Sequence, residues 1–312
     1  MKWNHKDLLG LKGLTAEEIQ FILDQAKSFK EVFKRPVKQV PALRGKTLVN
    51  LFYEPSTRTK TSFDMAAKML GVSTNNLSIA TSSIKKGETL IDTVKNLEVM
   101  GIAGIVVRHK MGGAPHLVAK NVNIPIINAG DGFNEHPTQG LLDIFTMQQA
   151  KGSLKGKKVV IVGDIAHSRV ARSNAWGLTK LGAEVIFVAP PTLVPKDVEK
   201  IGVKVSYSFD DVIGKADFIN LLRMQLERQF GDVFTPSKRE YRQRFGLTVD
   251  RMKCAKKDVV ILHPGPMNRG VEIDSEVADG PYNVILDQVT NGVAVRMAII
   301  FMLLKKSRNK KQ

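Results

Sequence analysis

Leu51-Phe52-Tyr53-Glu54-Pro55-Ser56-Thr57-Arg58-Thr59-Lys60-Thr61-Ser62-Phe63 is the stretch on which the fold turns. An apolar, strand-like run over 47–53 stops at Pro55, and Ser56 then stands where an N-cap opens a helix. Phe63, Ala66, Ala67 and Leu70 recur at helical spacing, and Gly71 follows where a left-handed C-terminal cap is expected. A strand therefore feeds straight into a helix N-terminus crowded with hydroxyls and an arginine. Free backbone N–H groups, the positive end of the helix dipole, the hydroxyls of Ser56, Thr57 and Thr59, and the Arg58 guanidinium can converge on one dianion. A capped surface helix with incidental Ser and Thr fits these residues equally well. The rest of the chain decides.

Working outward, the same alternation repeats on both sides. A helix over 15–33 opens with Thr15 and Glu18 in capping-box spacing, followed by Ile19, Ile22 and Leu23. After Gly71 come a strand over 72–79, a polar basic segment over 81–87 and a helix over 88–100. A short buried strand over 103–107 then ends in Arg108-His109, and a helix over 115–120 and a strand over 124–129 follow. His136-Pro137-Thr138-Gln139 begins a helix running to about Ala150. Residues 151–158, with Gly152, Ser153 and Gly156 among lysines, mark a boundary. A second series has strands over 159–162, 185–189, 203–207, 218–222 and 259–262, with a helix over 168–181.

Continuous apolar strands alternating with amphipathic helices specify parallel sheets covered on both faces. The expected class is α/β, two doubly wound parallel-sheet domains linked by helices. The first domain spans 1–150 and is joined by the last helical stretch, 284–312, whose apolar face is too long to leave exposed; the second spans 151–283. Ligands of such sheets sit outside the carboxyl ends of the strands, which is where Ser56 to Thr59, Arg108 and the segment 131–139 collect.

The 312 residues carry 47 Lys and Arg against 30 Asp and Glu, a net charge of +17 that favours anionic partners. Part of the excess is a solvated tail: Lys305, Lys306, Arg308, Lys310 and Lys311. With 6% aromatic residues and no basic run interleaved with aromatics, nucleic acid ranks well below a small anion as partner. The single cysteine, Cys254, rules out an intrachain disulfide and a multi-cysteine metal site, and reads as a small, partly buried side chain in a helical stretch over 251–255. Six scattered histidines give no metal-ligand spacing, so no metal is expected. The N-terminus lacks the apolar core of a signal peptide, and the apolar run over 293–304 is interrupted by Arg296 and too short to span a bilayer. A cytoplasmic protein with no membrane partner is expected.

The strand, turn and helix over 159–173 invite a dinucleotide-binding reading, but Gly163 stands without the rest of a G-x-G-x-x-G pattern. The loop offers His167, Ser168, Arg169 and Arg172 instead. Arg223 and Gln225 lie just beyond another apolar strand, and His263-Pro264-Gly265-Pro266 follows a third. Two arginines at strand ends suit a dicarboxylate, because a guanidinium fork matches a carboxylate bidentately. His136 and Gln139 share a face at a helix start and can donate to a carbonyl oxygen. No nucleophile is paired with a base, so the chemistry is positioning and charge stabilisation.

Together, Ser56-Thr57-Arg58-Thr59, Lys85-Lys86-Gly87-Glu88-Thr89, Arg108-His109, His136-Pro137-Thr138-Gln139 and His263-Pro264-Gly265-Pro266 resemble the aspartate/ornithine carbamoyltransferase family, and within it the catalytic chains that act on aspartate. The resemblance covers nearly the whole chain. It implies transfer of the carbamoyl group of carbamoyl phosphate to the amine of L-aspartate, a step towards pyrimidines, without a cofactor. It further implies that Ser56, Thr57, Arg58, Thr59 and Arg108 bind the phosphate and that His136 and Gln139 hold the carbonyl and amide. Gly265 and Pro266 would contribute main-chain contacts, and Arg169, Arg223 and Gln225 would grip aspartate. Ser82 and Lys86 would reach a neighbouring subunit's site in a homotrimer, which could join regulatory chains or another pathway enzyme. Glu54 would pair with arginines of the second domain on closure, here Arg169 and Arg228. Lys60, Asp64 and Gly265 depart from the family's usual residues. An ornithine-specific relative is the nearest alternative, but it carries a His-Cys-Leu-Pro motif where this chain has His263 to Pro266. A basic nucleic-acid-binding module is the alternative from another class.

Overall fold

Thr15 opens the first helix as its spacing predicts. Its hydroxyl accepts from Glu18 N at 3.2 Å while the Glu18 carboxylate accepts from Thr15 N at 2.9 Å. The computed structural model describes residues 3–78, 87–224 and 237–305. Contacts divide the chain into two units, Met1–Leu142 with Val289–Gln312, and Asp143–Gln288.

In chain order the first unit carries α1 (Ala16–Lys30), β1 (Thr47–Phe52), α2 (Thr57–Met69), β2 (Ser73–Ser78), α3 (Leu90–Val99), β3 (Gly104–His109), α4 (Ala114–Asn121), β4 (Ile126–Asp131) and the start of α5 (Pro137–Lys151). Its four strands are all parallel, in the order β2-β1-β3-β4. The three strands β1, β3 and β4 are buried and largely apolar, whereas the edge strand β2, Ser-Thr-Asn-Asn-Leu-Ser, is polar. Val49, Leu51, Ile105, Val107 and Ile126 pack with Val94 and Leu97 of α3 and Val118 of α4. Leu8 pairs alongside Ile127 and extends the β4 edge. β3 runs two residues past the expected end at Val107, so Arg108 stands in register with Phe52 inside the sheet.

The second unit follows with β5 (Lys158–Val162), α6 (Arg169–Lys180), β6 (Glu184–Val188), β7 (Lys204–Ser206), α7 (Asp210–Ile213), β8 (Phe218–Leu221), α8 (Lys238–Phe245), α9 (Val249–Met252), β9 (Val260–Leu262), α10 (Ser275–Ala278) and the start of α11 (Ile285–Lys305). Its five strands are also parallel, ordered β7-β6-β5-β8-β9. Cys254 corrects one expectation. α9 buries none of its side chains and ends at Met252, so nothing carries the thiol inward, and Cys254 is exposed.

α11 is long and apolar enough to cross a membrane by length and composition, yet 67% of that window is buried inside the protein, as in a core helix. Arg296, which breaks its apolar run, is buried, donates to Ser62 Oγ at 3.0 Å and lies over the Phe63 ring. An isolated buried cation would be costly; here the Ser62 hydroxyl accepts from the guanidinium and the face of the Phe63 ring attracts it.

Candidate active site

Each sheet has one point where the strand order reverses direction, and there the connections from the two flanking strands leave to opposite sides and open a crevice. In the first unit it lies between β1 and β3, in the second between β5 and β8.

At the first switch point, β1 leads through Glu54 to the N-terminus of α2. Ser56 occupies the N-cap position with an extended backbone, but its hydroxyl makes no capping hydrogen bond. The orphan N–H groups of the first turn are therefore not consumed by the side chain that normally takes them. Thr57 and Arg58 are exposed and Thr59 is buried. From β3, the Arg108 guanidinium donates to Ala129 O at 3.3 Å and places Nε 3.3 Å from Glu54 Oε2. Both partners of this ion pair are largely shielded from water. Glu54 thus meets an arginine of its own unit, a pairing that the residues alone did not disclose.

His136 precedes α5 and is buried, with Nδ1 3.4 Å from the Thr138 hydroxyl. A neutral ring that accepts there carries its proton on Nε2, the form that donates to a carbonyl oxygen. The loop before it is fixed by Asp131, which is wholly buried. Asp131 Oδ1 accepts from Asn128 Nδ2 and Glu135 N, and Oδ2 accepts from Gly113 N and Asn134 Nδ2. The sequence places Asp131 at the start of the polar segment 131–139 without showing that it is a hub, because its donors come from Gly113 and Asn128 as well as from Asn134 and Glu135. Gln139, on the first turn of α5, is also buried.

At the second switch point, Gly163 directly follows β5 at φ +135, and a Cβ there would stand 2.9 Å from Leu222 Cβ. Only glycine allows that approach. Asp164 holds the loop by accepting from His167 N at 3.1 Å and from the His167 ring. Ser168 Oγ caps α6 by accepting from Ala171 N, and Arg169 follows, buried, while Arg172 is half-buried. Arg223 stands two residues beyond β8, the strand beside β5, and His263 one residue beyond β9, the strand beside β8. Gly265 adopts φ +63, a left-handed conformation that a larger apolar residue would resist, and joins Pro266 through a cis peptide.

Ser82, Lys86, Gln225 and Arg228 lie outside the described residues. Among the described residues no group of three or more His, Cys, Asp and Glu side chains could hold a metal ion.

Beside Arg108, burial holds the His109 imidazole below its ordinary pKa of 6.5, against an upward pull from Glu54. Its Nδ1 accepts from Met111 N at 3.0 Å, so the folded chain favours the neutral ring. The unfolded chain takes up this proton first, and stability is lost as pH falls below about 6.5 until the folded value is passed. The urea midpoint of the wild type is expected to fall more between about pH 7 and 5 than that of His109→Gln. Equal slopes for the two proteins would refute this.

Residues 6–149 match the family described as aspartate/ornithine carbamoyltransferase, carbamoyl-P binding domain, and residues 155–303 match its Asp/Orn binding domain. The chain is 56% identical over 309 residues to the aspartate carbamoyltransferase catalytic subunit of Desulforapulum autotrophicum, covering 99% of each. Among solved structures, it is similar to aspartate transcarbamoylase from Trypanosoma cruzi in complex with N-(phosphonacetyl)-L-aspartic acid (TM-score 0.87, 28% identity, 95% of each chain). It is also similar to the ornithine carbamoyltransferase of Pyrococcus furiosus, with a TM-score of 0.85 and 31% identity over 96% of this chain and 97% of the other. With both halves matched in order and the arginines and hydroxyls standing at the two switch points, the chain belongs to the aspartate/ornithine carbamoyltransferase family.

Proposed function

We propose that this chain is the catalytic chain of an aspartate carbamoyltransferase, making N-carbamoyl-L-aspartate and phosphate from carbamoyl phosphate and L-aspartate on the route to pyrimidines. The observation that carries the reading is the set of anion-binding groups at the β1/β3 switch point: an α2 N-terminus whose Ser56 does not cap it, with Thr57, Arg58, Thr59 and Arg108 around it. That set suits a phosphate dianion.

In this reading His136 Nε2, Arg108 and Thr59 donate to the carbamoyl carbonyl, and Gln139 and the main chain at Gly265 and Pro266 hold the amide. Arg169, Arg223 and Gln225 pair with the aspartate carboxylates. The deprotonated amine attacks the carbamoyl carbon, and charge builds on the carbonyl oxygen, where the donors stabilise it. The C–O bond to phosphate then breaks, and phosphate leaves with the electron pair and takes the amine's proton. Each oriented donor contributes about 3 kcal/mol to lowering such a barrier.

Ser82 and Lys86 of a neighbouring subunit complete the site in a homotrimer. Sedimentation equilibrium tests this against the 34.5 kDa chain: a trimer supports shared sites, and a monomer that turns over normally refutes them. An assay of carbamoyl transfer with aspartate, ornithine or no acceptor tests the reaction. Product is expected with aspartate alone. The ornithine reading is disfavoured by the two arginines at the β5/β8 switch point, which repel a cationic side chain, and equal transfer to ornithine would overturn the proposal.

A further inference from the structure

In the second unit, His263 and Glu272 are both buried, at 2% and 1% exposure, beside segments assigned above to substrate. Gly265 N donates to His263 Nδ1 at 2.8 Å. A neutral imidazole that accepts at Nδ1 carries its proton on Nε2, and Nε2 lies 3.2 Å from Glu272 Oε1. The same carboxylate oxygen accepts from Asn268 N at 2.6 Å. The Asn268 side chain in turn reaches Met224 O at 3.5 Å, and Met224 is the residue after Arg223. One oxygen atom is thus tied through His263 to the main chain at Gly265 and through Asn268 to the chain at Arg223.

The far side of this arrangement is also fixed. His263 N donates to Gln288 Oε1 at 2.9 Å, and Gln288 Nε2 donates to the wholly buried Asp143 at 2.7 Å. His263 is therefore anchored from the side away from the Gly265 loop. Nothing in the proposed reaction uses Glu272, yet a buried carboxylate is costly to keep unless its hydrogen bonds serve it well.

We infer that Glu272 is a positioning residue that sets the main chain at Gly265 relative to Arg223, aligning the carbamoyl contact with the aspartate contact without touching either substrate. The inference rests on the proposed roles of Gly265 and Arg223. Misplacement by about 1 Å costs on the order of 100-fold in rate.

The test is steady-state kinetics on the full chain with both substrates varied, for Glu272→Ala, Glu272→Gln and Asn268→Ala, with near-ultraviolet circular dichroism of each. Glu272→Ala is expected to lower kcat about 100-fold and raise the aspartate KM about 10-fold in a folded protein. Glu272→Gln keeps an oxygen that accepts both bonds and is expected to stay within about 5-fold of wild type. Asn268→Ala, at a half-buried position, is expected to raise the aspartate KM several-fold with the carbamoyl phosphate KM unchanged. Wild-type kinetics in Glu272→Ala, or equal impairment of Glu272→Ala and Glu272→Gln with unchanged KM values, would overturn the inference. Should Glu272→Ala fail to fold, Asn268→Ala decides: an unchanged aspartate KM overturns it. A wild-type chain that makes no carbamoyl aspartate sinks the functional reading instead, which separates the two failures.

Discussion

Arg58→Ala is expected to lower kcat/KM about 1,000-fold or more while leaving the thermal midpoint within a few degrees of wild type. The asymmetry follows from where the residue sits. Arg58 is exposed on the first turn of α2, so its removal opens no cavity, and the helix keeps Phe63, Ala66 and Ala67 buried in the core. The loss falls on charge stabilisation: the helix dipole and the hydroxyls remain, but the guanidinium, the group able to bind two phosphate oxygens in one plane, is gone. Arg58→Lys restores the charge without the fork and is expected to recover only part of the activity. Near-normal kcat/KM in Arg58→Ala, measured with carbamoyl phosphate varied, would remove the basis for an anion site at α2.

Asp143→Ala is expected to have the largest effect on stability. Asp143 is wholly buried in the second unit, where Oδ2 accepts from Asn174 Nδ2 at 2.7 Å and from Asn220 Nδ2 at 3.3 Å, and Oδ1 accepts from Gln288 Nε2. Asn174, Asn220 and Gln288 are themselves buried. Truncation strands their buried donors, at about 1 to 3 kcal/mol for each group left unpaired, so a loss of about 4 kcal/mol is expected. The check is urea unfolding followed by hydrogen exchange of the β8 amides. A loss below about 1 kcal/mol would mean that the three donors find other partners. Because Gln288 also holds His263 N, the same substitution is expected to loosen the Gly265 loop before the unit unfolds.

Much of the architecture is legible in the residues because it is local. Strand runs such as 47–53 and 159–162 are predominantly apolar, and Thr15, Ser168 and Gly71 punctuate helices with chemistry that needs only near neighbours. The short helices α7, α8 and α10 carry no such signal, for the same reason in reverse, and α9 shows only as a helical stretch displaced to 251–255. α8 is mostly charged, with Tyr241 and Phe245 as its buried pair, so no apolar period announces it. Cys254 is exposed, against the expectation of a partly buried thiol, because the short helix before it has no face to bury.

Residue types and order are enough to identify two parallel α/β sheets, a helix start crowded with hydroxyls and an arginine, and a pair of arginines just beyond strand ends, since each depends on chemistry within a few positions. What lies across chain separations depends on strand register and is written nowhere in the local pattern. Only folding sets Phe52 beside Arg108, and so Glu54 against the Arg108 guanidinium. Only folding turns Ser56 into an N-cap position whose hydroxyl does not cap, and makes Asp131, Asp143 and Glu272 into hubs. A buried carboxylate can be recognised as a hub only when its donors, drawn from distant segments, have been brought out of water around it.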